Sequence, residues 1–209
     1  MLEIEYKGGN SVVFVTKNSR LAVDPNVEQL GLKNPKKLDV QLCTEQRFML
    51  PVSDDYVTLE GPGEYEVGPF SIRGEAAQRT IDTEMDIKQS TIYHMDVLGF
   101  RIGLLGNVSP KLTDGQFEAL GVVDILVIPV GGGYTVNPTD AAKLVRQIEP
   151  KVVIPVHFKE AGLTYEVPQE ELDVFVKELN ASVEETDKLK LKTIAALPPV
   201  LTVYKLKHD

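Results

Sequence analysis

The chain has 209 residues, is 43% hydrophobic and 25% charged, and carries a formal net charge of −9. Such length and composition exclude a disordered or fibrous chain and fit one globular domain, residues 1–209, burying roughly 70% of its unfolded surface. The acidic excess repels phosphate backbones and anionic lipid, so no nucleic acid and no membrane is expected as a partner, and Lys33, Lys36 and Lys37 read as a solvated turn.

The first half reads as strands. Leu2 to Tyr6 alternates charged and apolar residues, Lys7-Gly8-Gly9-Asn10 supplies a turn, and Ser11 to Thr16 and Arg20 to Val23 follow. Asp24-Pro25 closes the series, because proline has no N–H for a central ladder. Asp39 to Cys43 is a short buried strand. Cys43, the single cysteine, excludes an internal disulfide and reads as a buried thiol in a reducing, cytosolic compartment. Gly61-Pro62-Gly63 marks a turn before a hairpin of Glu64 to Val67 and Phe70 to Arg73, and residues 76–88 are polar and irregular. Thr91 to Val97 and Phe100 to Leu105 make the clearest hairpin.

The second half changes rhythm. Thr113 to Gln116 has the form of a capping box ahead of Phe117 and Leu120. Asp124 to Pro129 and Val152 to Val156 are continuous apolar runs of the kind that form buried parallel strands. Between them, Asn137-Pro138 caps a helix carrying Ala141, Leu144, Val145 and Ile148. Pro168 is expected to open a third helix with Leu172, Phe175, Val176 and Leu179, and Leu201 to Leu206 a closing strand. Neither a secretory leader nor an apolar run of membrane-spanning length is apparent.

Three histidines are present. His208 is expected to fray at the C-terminus, and His94 sits inside a strand in a structural or surface role. His157 follows a buried strand, where ligands gather in open α/β sheets. No Gly-x-Ser-x-Gly elbow, suggestive Cys/His pair or phosphate loop is found. Gly131-Gly132-Gly133 reads as a flexible turn, and Asp82, Glu84 and Asp86 as solvated carboxylates.

In this order, several segments form a familiar series: Glu3 to Phe14, Ala22-Val23-Asp24-Pro25, Gly61 to Val67, Leu104-Leu105-Gly106-Asn107, Leu112-Thr113-Asp114, Val123 to Gly132, and Ile148 through His157-Phe158. Over nearly its whole length the chain resembles the metallo-β-lactamase-fold superfamily, in the group of small metal-dependent hydrolases related to the ascorbate-phosphate lactonases. The resemblance implies an α/β (α+β) fold, a four-layer αββα sandwich with metals held at one edge. It also implies hydrolysis in which two metals activate a bridging water.

The family's first ligand motif, His-x-His-x-Asp-His, falls just after Asp39 to Cys43. There the alignment sets Glu45, Arg47 and Leu50 at the histidine positions and Met49 at the aspartate. Arg79 lies where another histidine belongs, Asn107 stands for the bridging aspartate, Asn10 and Gly133 for two further histidines, and only His157 keeps a ligand-type side chain. Leucine and methionine do not suit Zn²⁺, and arginine opposes a cation. The expectation is therefore a lost two-metal site, no cofactor, and a non-catalytic pseudoenzyme acting as a binding or interaction module. Its cleft would comprise Glu45, Arg47, Met49, Leu50, Arg79, Asn107 and His157, taking a small anionic ligand or a protein partner, with a homo-oligomer compatible. The alternative is a hydrolase with one zinc or manganese ion on His157 and a carboxylate from Glu45, Asp82 or Asp24.

Overall fold

The computed structural model describes residues 1–82 and 90–208; Glu84 and Asp86 lie outside them. In chain order the strands of the first half are β1 (Leu2–Gly8), β2 (Ser11–Val15), β3 (Arg20–Val23), β4 (Val40–Cys43), β5 (Val57–Glu60), β6 (Gly63–Val67), β7 (Phe70–Ala77), β8 (Ser90–Val97) and β9 (Phe100–Leu104). Then come α1 (Asp114–Leu120), β10 (Ile125–Pro129), α2 (Pro138–Ile148), β11 (Val152–Val156), α3 (Leu172–Leu179), β12 (Ser182–Thr186), β13 (Lys188–Leu191) and β14 (Thr202–Leu206).

The strands form a six-stranded sheet in the order β13-β1-β2-β3-β4-β5 and an eight-stranded sheet in the order β12-β14-β11-β10-β9-β8-β7-β6. With three helices these sheets make the mixed α/β sandwich that the sequence leads one to expect. Because successive side chains of a strand point to opposite faces, β2 and β3 of the six-stranded sheet feed two cores. Leu2, Ile4, Tyr6, Val12, Phe14, Leu21 and Val23 share the main core with Phe70, Ile72, Tyr93 and Met95. Val13 and Ala22 form a smaller cluster with Leu38 and Leu50.

Every residue of β10 and β11 is buried, which explains their unbroken apolar sequences. Outside this sheet α1 packs on β7 and β8, and α2 on β10 and α3. The anticipated capping box is present at Thr113 and Gln116. No helix among the described residues is long and apolar enough to cross a membrane.

Several sequence expectations need correction. Strands β5, β12 and β13 are not anticipated, because they are short and lie at sheet edges where exposed charged residues break the apolar pattern. Pro168 does not open α3, which starts at Leu172. The Glu170 N–H is engaged by Gly131 O, and Glu170 O accepts from Lys159 N, which holds this stretch extended. Ala76 and Ala77 belong to β7 rather than to an irregular segment. His208 is not frayed: it bridges to Tyr6 and packs edge-on against its ring.

On the face of β1 away from the main core, Glu5 is 5% exposed. Its carboxylate meets Lys188 Nζ at 2.8 Å, Lys7 Nζ at 3.1 Å and Arg20 Nη2 at 3.3 Å. Burial pushes its pKa up, but Lys188 and Lys7 outweigh burial and bring it down to about 2. A carboxyl depressed in the folded state stabilises the fold above its unfolded value of 4.5 and loses that contribution as pH falls toward 2. Glu5→Gln should flatten the stability loss across that window by about 1–2 kcal/mol, allowing for solvent screening of the lysines. Urea denaturation at stepped acid pH tests this; curves of equal slope for both proteins would refute it.

Candidate functional site

One end of the sandwich collects polar side chains from the ends of β3, β4, β7, β9 and β11 and from the β1–β2 turn. Asp24 follows β3 with a left-handed φ of 45° and is fully buried. It accepts hydrogen bonds from Thr44 N and Thr44 Oγ1, both at 2.7 Å, and so ties the end of β3 to that of β4. Burial pushes the Asp24 carboxyl up to about 7, against the pull of the Thr44 bonds.

The next residue, Glu45, is 3% exposed. Its carboxylate meets Arg47 Nε at 3.0 Å and Arg79 Nη1 at 3.4 Å, and accepts from Asn107 Nδ2 at 3.0 Å. Arg79 also donates from N and Nε to Asp82, each at 2.8 Å. Arg47 lies over the Phe48 ring, 4.6 Å from its centroid, and is 4.0 Å from Glu166. Asn10 Nδ2 donates to Asn107 Oδ1 at 2.9 Å, and Asn10 Oδ1 lies 3.0 Å from His157 Nδ1. A hydrogen-bonded chain thus runs from Asp82 to His157.

His157 has a left-handed φ of 50°, and its N–H donates to Gly9 O at 2.8 Å. Burial, with Arg47 adding to it, lowers its pKa to about 4, so the ring is neutral near neutrality. It packs against Tyr165 with ring centroids 4.9 Å apart. A small cavity of about 40 Å³ is lined by His157, Arg47, Tyr134, Tyr165, Glu166 and Gln169, among others.

Of the residues singled out from sequence, Glu45, Arg47, Arg79, Asn107 and, through Asn10, His157 are brought together. Leu50 is not: it belongs to the small cluster on the far face of the six-stranded sheet. There its N–H donates to Gln41 Oε1 at 2.9 Å, and its carbonyl accepts from Gln41 Nε2 at 3.2 Å. Met49 is half-buried beyond the 3-10 turn Gln46–Phe48, and no described contact joins it to the cleft. His94 lies away from the cleft, its ring nitrogens near Leu120 O and Asp96. Sequence reasoning missed Thr44 and Gln169. Thr44 has its signal in standing next to Glu45; Gln169 comes from a distant loop and has none.

The sequence view of Gly131 as part of a flexible turn is also corrected. A Cβ there would sit 2.3 Å from His157 O and 2.9 Å from Phe158 Cα, both backbone atoms. At Gly106 a Cβ would sit 2.4 Å from Thr44 Oγ1. Gly131 lacks a side chain because another backbone approaches so closely, and Gly106 because the Thr44 side chain fills that space.

The donor set decides what the cleft can hold. Among the described residues no three His, Cys, Asp or Glu side chains are grouped to hold a metal ion. Glu45, Asp82 and Asp24 have their oxygens engaged by Arg47, Arg79, Asn107 and Thr44. Two guanidiniums, two amides and one imidazole do not fit a pair of divalent cations.

The chain superposes on a Thermotoga maritima protein of the metallo-beta-lactamase superfamily with a TM-score of 0.79, at 23% identity and over 99% of each chain. That likeness defines the class: two sheets stacked as a metallo-β-lactamase fold. A family model described as beta-lactamase superfamily domain matches residues 3–157, and the chain belongs to the metallo-β-lactamase superfamily. A UPF0173 protein of Pyrococcus furiosus is 31% identical over 134 residues, covering 63% of this chain and 58% of that one. A UPF0173 metal-dependent hydrolase of Pelotomaculum thermopropionicum is 31% identical over 113 residues, covering 54% and 40%. The chain therefore spans less than two thirds of the length of these curated relatives.

The expectation that no cofactor is called for is corrected by these names. Relatives from Pelotomaculum thermopropionicum and Symbiobacterium thermophilum are metal-dependent hydrolases by name, which points to metal ions.

Gly131→Ala is expected to cost about 1–3 kcal/mol, since backbone must move to admit the methyl group. Gly115→Ala, whose Cβ meets nothing closer than 4.0 Å, should be neutral or slightly stabilising. Equal urea midpoints for the two variants would contradict this account of the close approach.

Proposed function

We propose that the cleft around Glu45, Arg47, Arg79, Asn107 and His157 binds a small anionic molecule, and that the chain is a binding member of its superfamily, a pseudoenzyme. The observation that carries this reading is the pair of guanidiniums converging on one buried carboxylate at the sheet edge. Among the described residues, Arg47 is tied on its outer side by the long contact to the exposed Glu166. A carboxylate or phosphate arriving from solvent can take that place and gain charge-assisted hydrogen bonds. The single thiol, Cys43, is buried and free, which supports a reducing, cytosolic setting.

A second reading, a metal-dependent hydrolase, is favoured by the names of the relatives. His157 is the residue that would hold the ion in that case, with zinc or manganese the candidates, and the ion would activate water.

Thermal unfolding with inorganic phosphate or glycolate, beside elemental analysis after loading with Zn²⁺ or Mn²⁺, separates the two. At about 100 times its Kd an anion should stabilise the fold by about 2.7 kcal/mol and raise Tm by about 5–10 °C, with the rise lost in Arg47→Ala. No anion effect, together with metal-dependent ester or lactone hydrolysis lost in His157→Ala, would replace the binding reading with the second one.

A further inference from the structure

The hydrogen-bond polarity of the cleft is set from one end. Glu45, as a carboxylate between two guanidiniums, only accepts, so Asn107 must turn Nδ2 toward it and Oδ1 away. Asn10 must then give Nδ2 to Asn107 Oδ1, which leaves Asn10 Oδ1 facing the ring of His157. Only a protonated Nδ1 makes a hydrogen bond to that oxygen. The neutral ring then carries its lone pair on Nε2. Each step follows from what the preceding atom can donate or accept, so neither amide is free to flip.

We infer that Glu45, acting through Asn107 and Asn10, holds His157 in the Nδ1–H tautomer, and that the ligand of the cleft is an anion that also carries an O–H or N–H donor for Nε2. The second half of this inference rests on the anion-binding reading; the first half does not. Asn10 and Asn107 are positioning residues, acting on the ligand through His157.

The cavity supports the same ligand chemistry. Gln169 lines it beside His157; its Nε2 donates to Val167 O at 2.9 Å, and its buried Oε1 has no partner. Among the described residues Gln169 Oε1 is thus a buried acceptor left unpaired, which is costly, and it borders the same cavity as the His157 ring. Arg47 lines that cavity too and supplies the charge that an acidic group would meet. At about 40 Å³ the cavity admits one or two small groups. A hydroxyl can enter while the acidic group stays at the mouth beside Arg47.

The tautomer is read directly by long-range ¹H–¹⁵N correlation on the ¹⁵N-labelled full chain at about pH 7. Only three histidines contribute, and the His157 signals are those missing in His157→Gln. The expected result is a protonated Nδ1 and an unprotonated Nε2. Asn10→Ala should move the population to Nε2–H, the form a free imidazole favours in water, whereas Asn10→Asp should keep Nδ1–H because a carboxylate still accepts. A protonated Nε2 in the unaltered protein, or no change in Asn10→Ala, overturns the relay.

Calorimetry with glycolate and with methoxyacetate, which differ by capping the hydroxyl, tests the donor. Glycolate should bind at least about tenfold more tightly, with the gap closing to about threefold in Asn10→Ala. Equal affinities overturn the donor requirement. Binding of neither acid overturns the anion reading with it, and the tautomer measurement still judges the relay separately.

Discussion

A carboxylate removed from water costs several kcal/mol unless charge and donors meet it inside the protein, and Glu45, 3% exposed at the end of β4, imposes that demand on everything near it. The 3-10 turn Gln46–Phe48 carries Arg47 back to it, two residues on. Arg79 reaches it from beyond β7, and Asn107 from beyond β9. Asp24 fixes Thr44, the preceding residue, through two short hydrogen bonds, and Gly106 leaves room for the Thr44 side chain. The ends of four strands from both sheets are thereby held by the requirements of one carboxylate and the residue before it.

The same demand explains what was legible in the sequence and what was not. Buried parallel strands announce themselves: Ile125 to Pro129 and Val152 to Val156 have no polar residue because both faces are covered. Edge strands such as Ser182–Thr186 are charged and exposed and leave no such trace. In the cleft, the family resemblance places the whole linear motif Glu45 to Leu50 at one site. Glu45 and Arg47 lie together, whereas Leu50 does not join them, because Gln41 clamps its backbone on the far face of the sheet through two hydrogen bonds. The pattern cannot show this, since Gln41 is polar yet fully buried in a strand. Contacts between Asn10 and Asn107, 97 residues apart, depend on both sheets being in place.

Positive charge at this edge of the sandwich comes from Arg47 and Arg79, each fixed by an acidic partner. A fixed guanidinium differs from a bound cation in offering planar, directional donors. It favours ligands by the shape of their acidic group as well as by charge. Glu45 absorbs part of that charge, so the cleft attracts an anion only as far as the ligand offers better geometry than Glu166 does to Arg47. Selectivity then depends on the remaining contacts, on the His157 side of the cavity.

His157 is held there against local backbone preference. A left-handed φ in a residue with a side chain costs on the order of 1 kcal/mol and persists only where the surroundings determine it. The β1–β2 turn does so at two points: Gly9 O takes the His157 N–H, and Asn10 Oδ1 takes the ring Nδ1. Adjacent residues of one turn thus fix both the backbone and the ring rotation of His157, and Gly131 packs against its carbonyl from the other side. Few degrees of freedom remain to the imidazole. Its orientation, and with it the direction of its lone pair, follows from how the β1–β2 turn of one sheet meets the end of β11 in the other, so the chemistry offered to a ligand is set only when both sheets are in place.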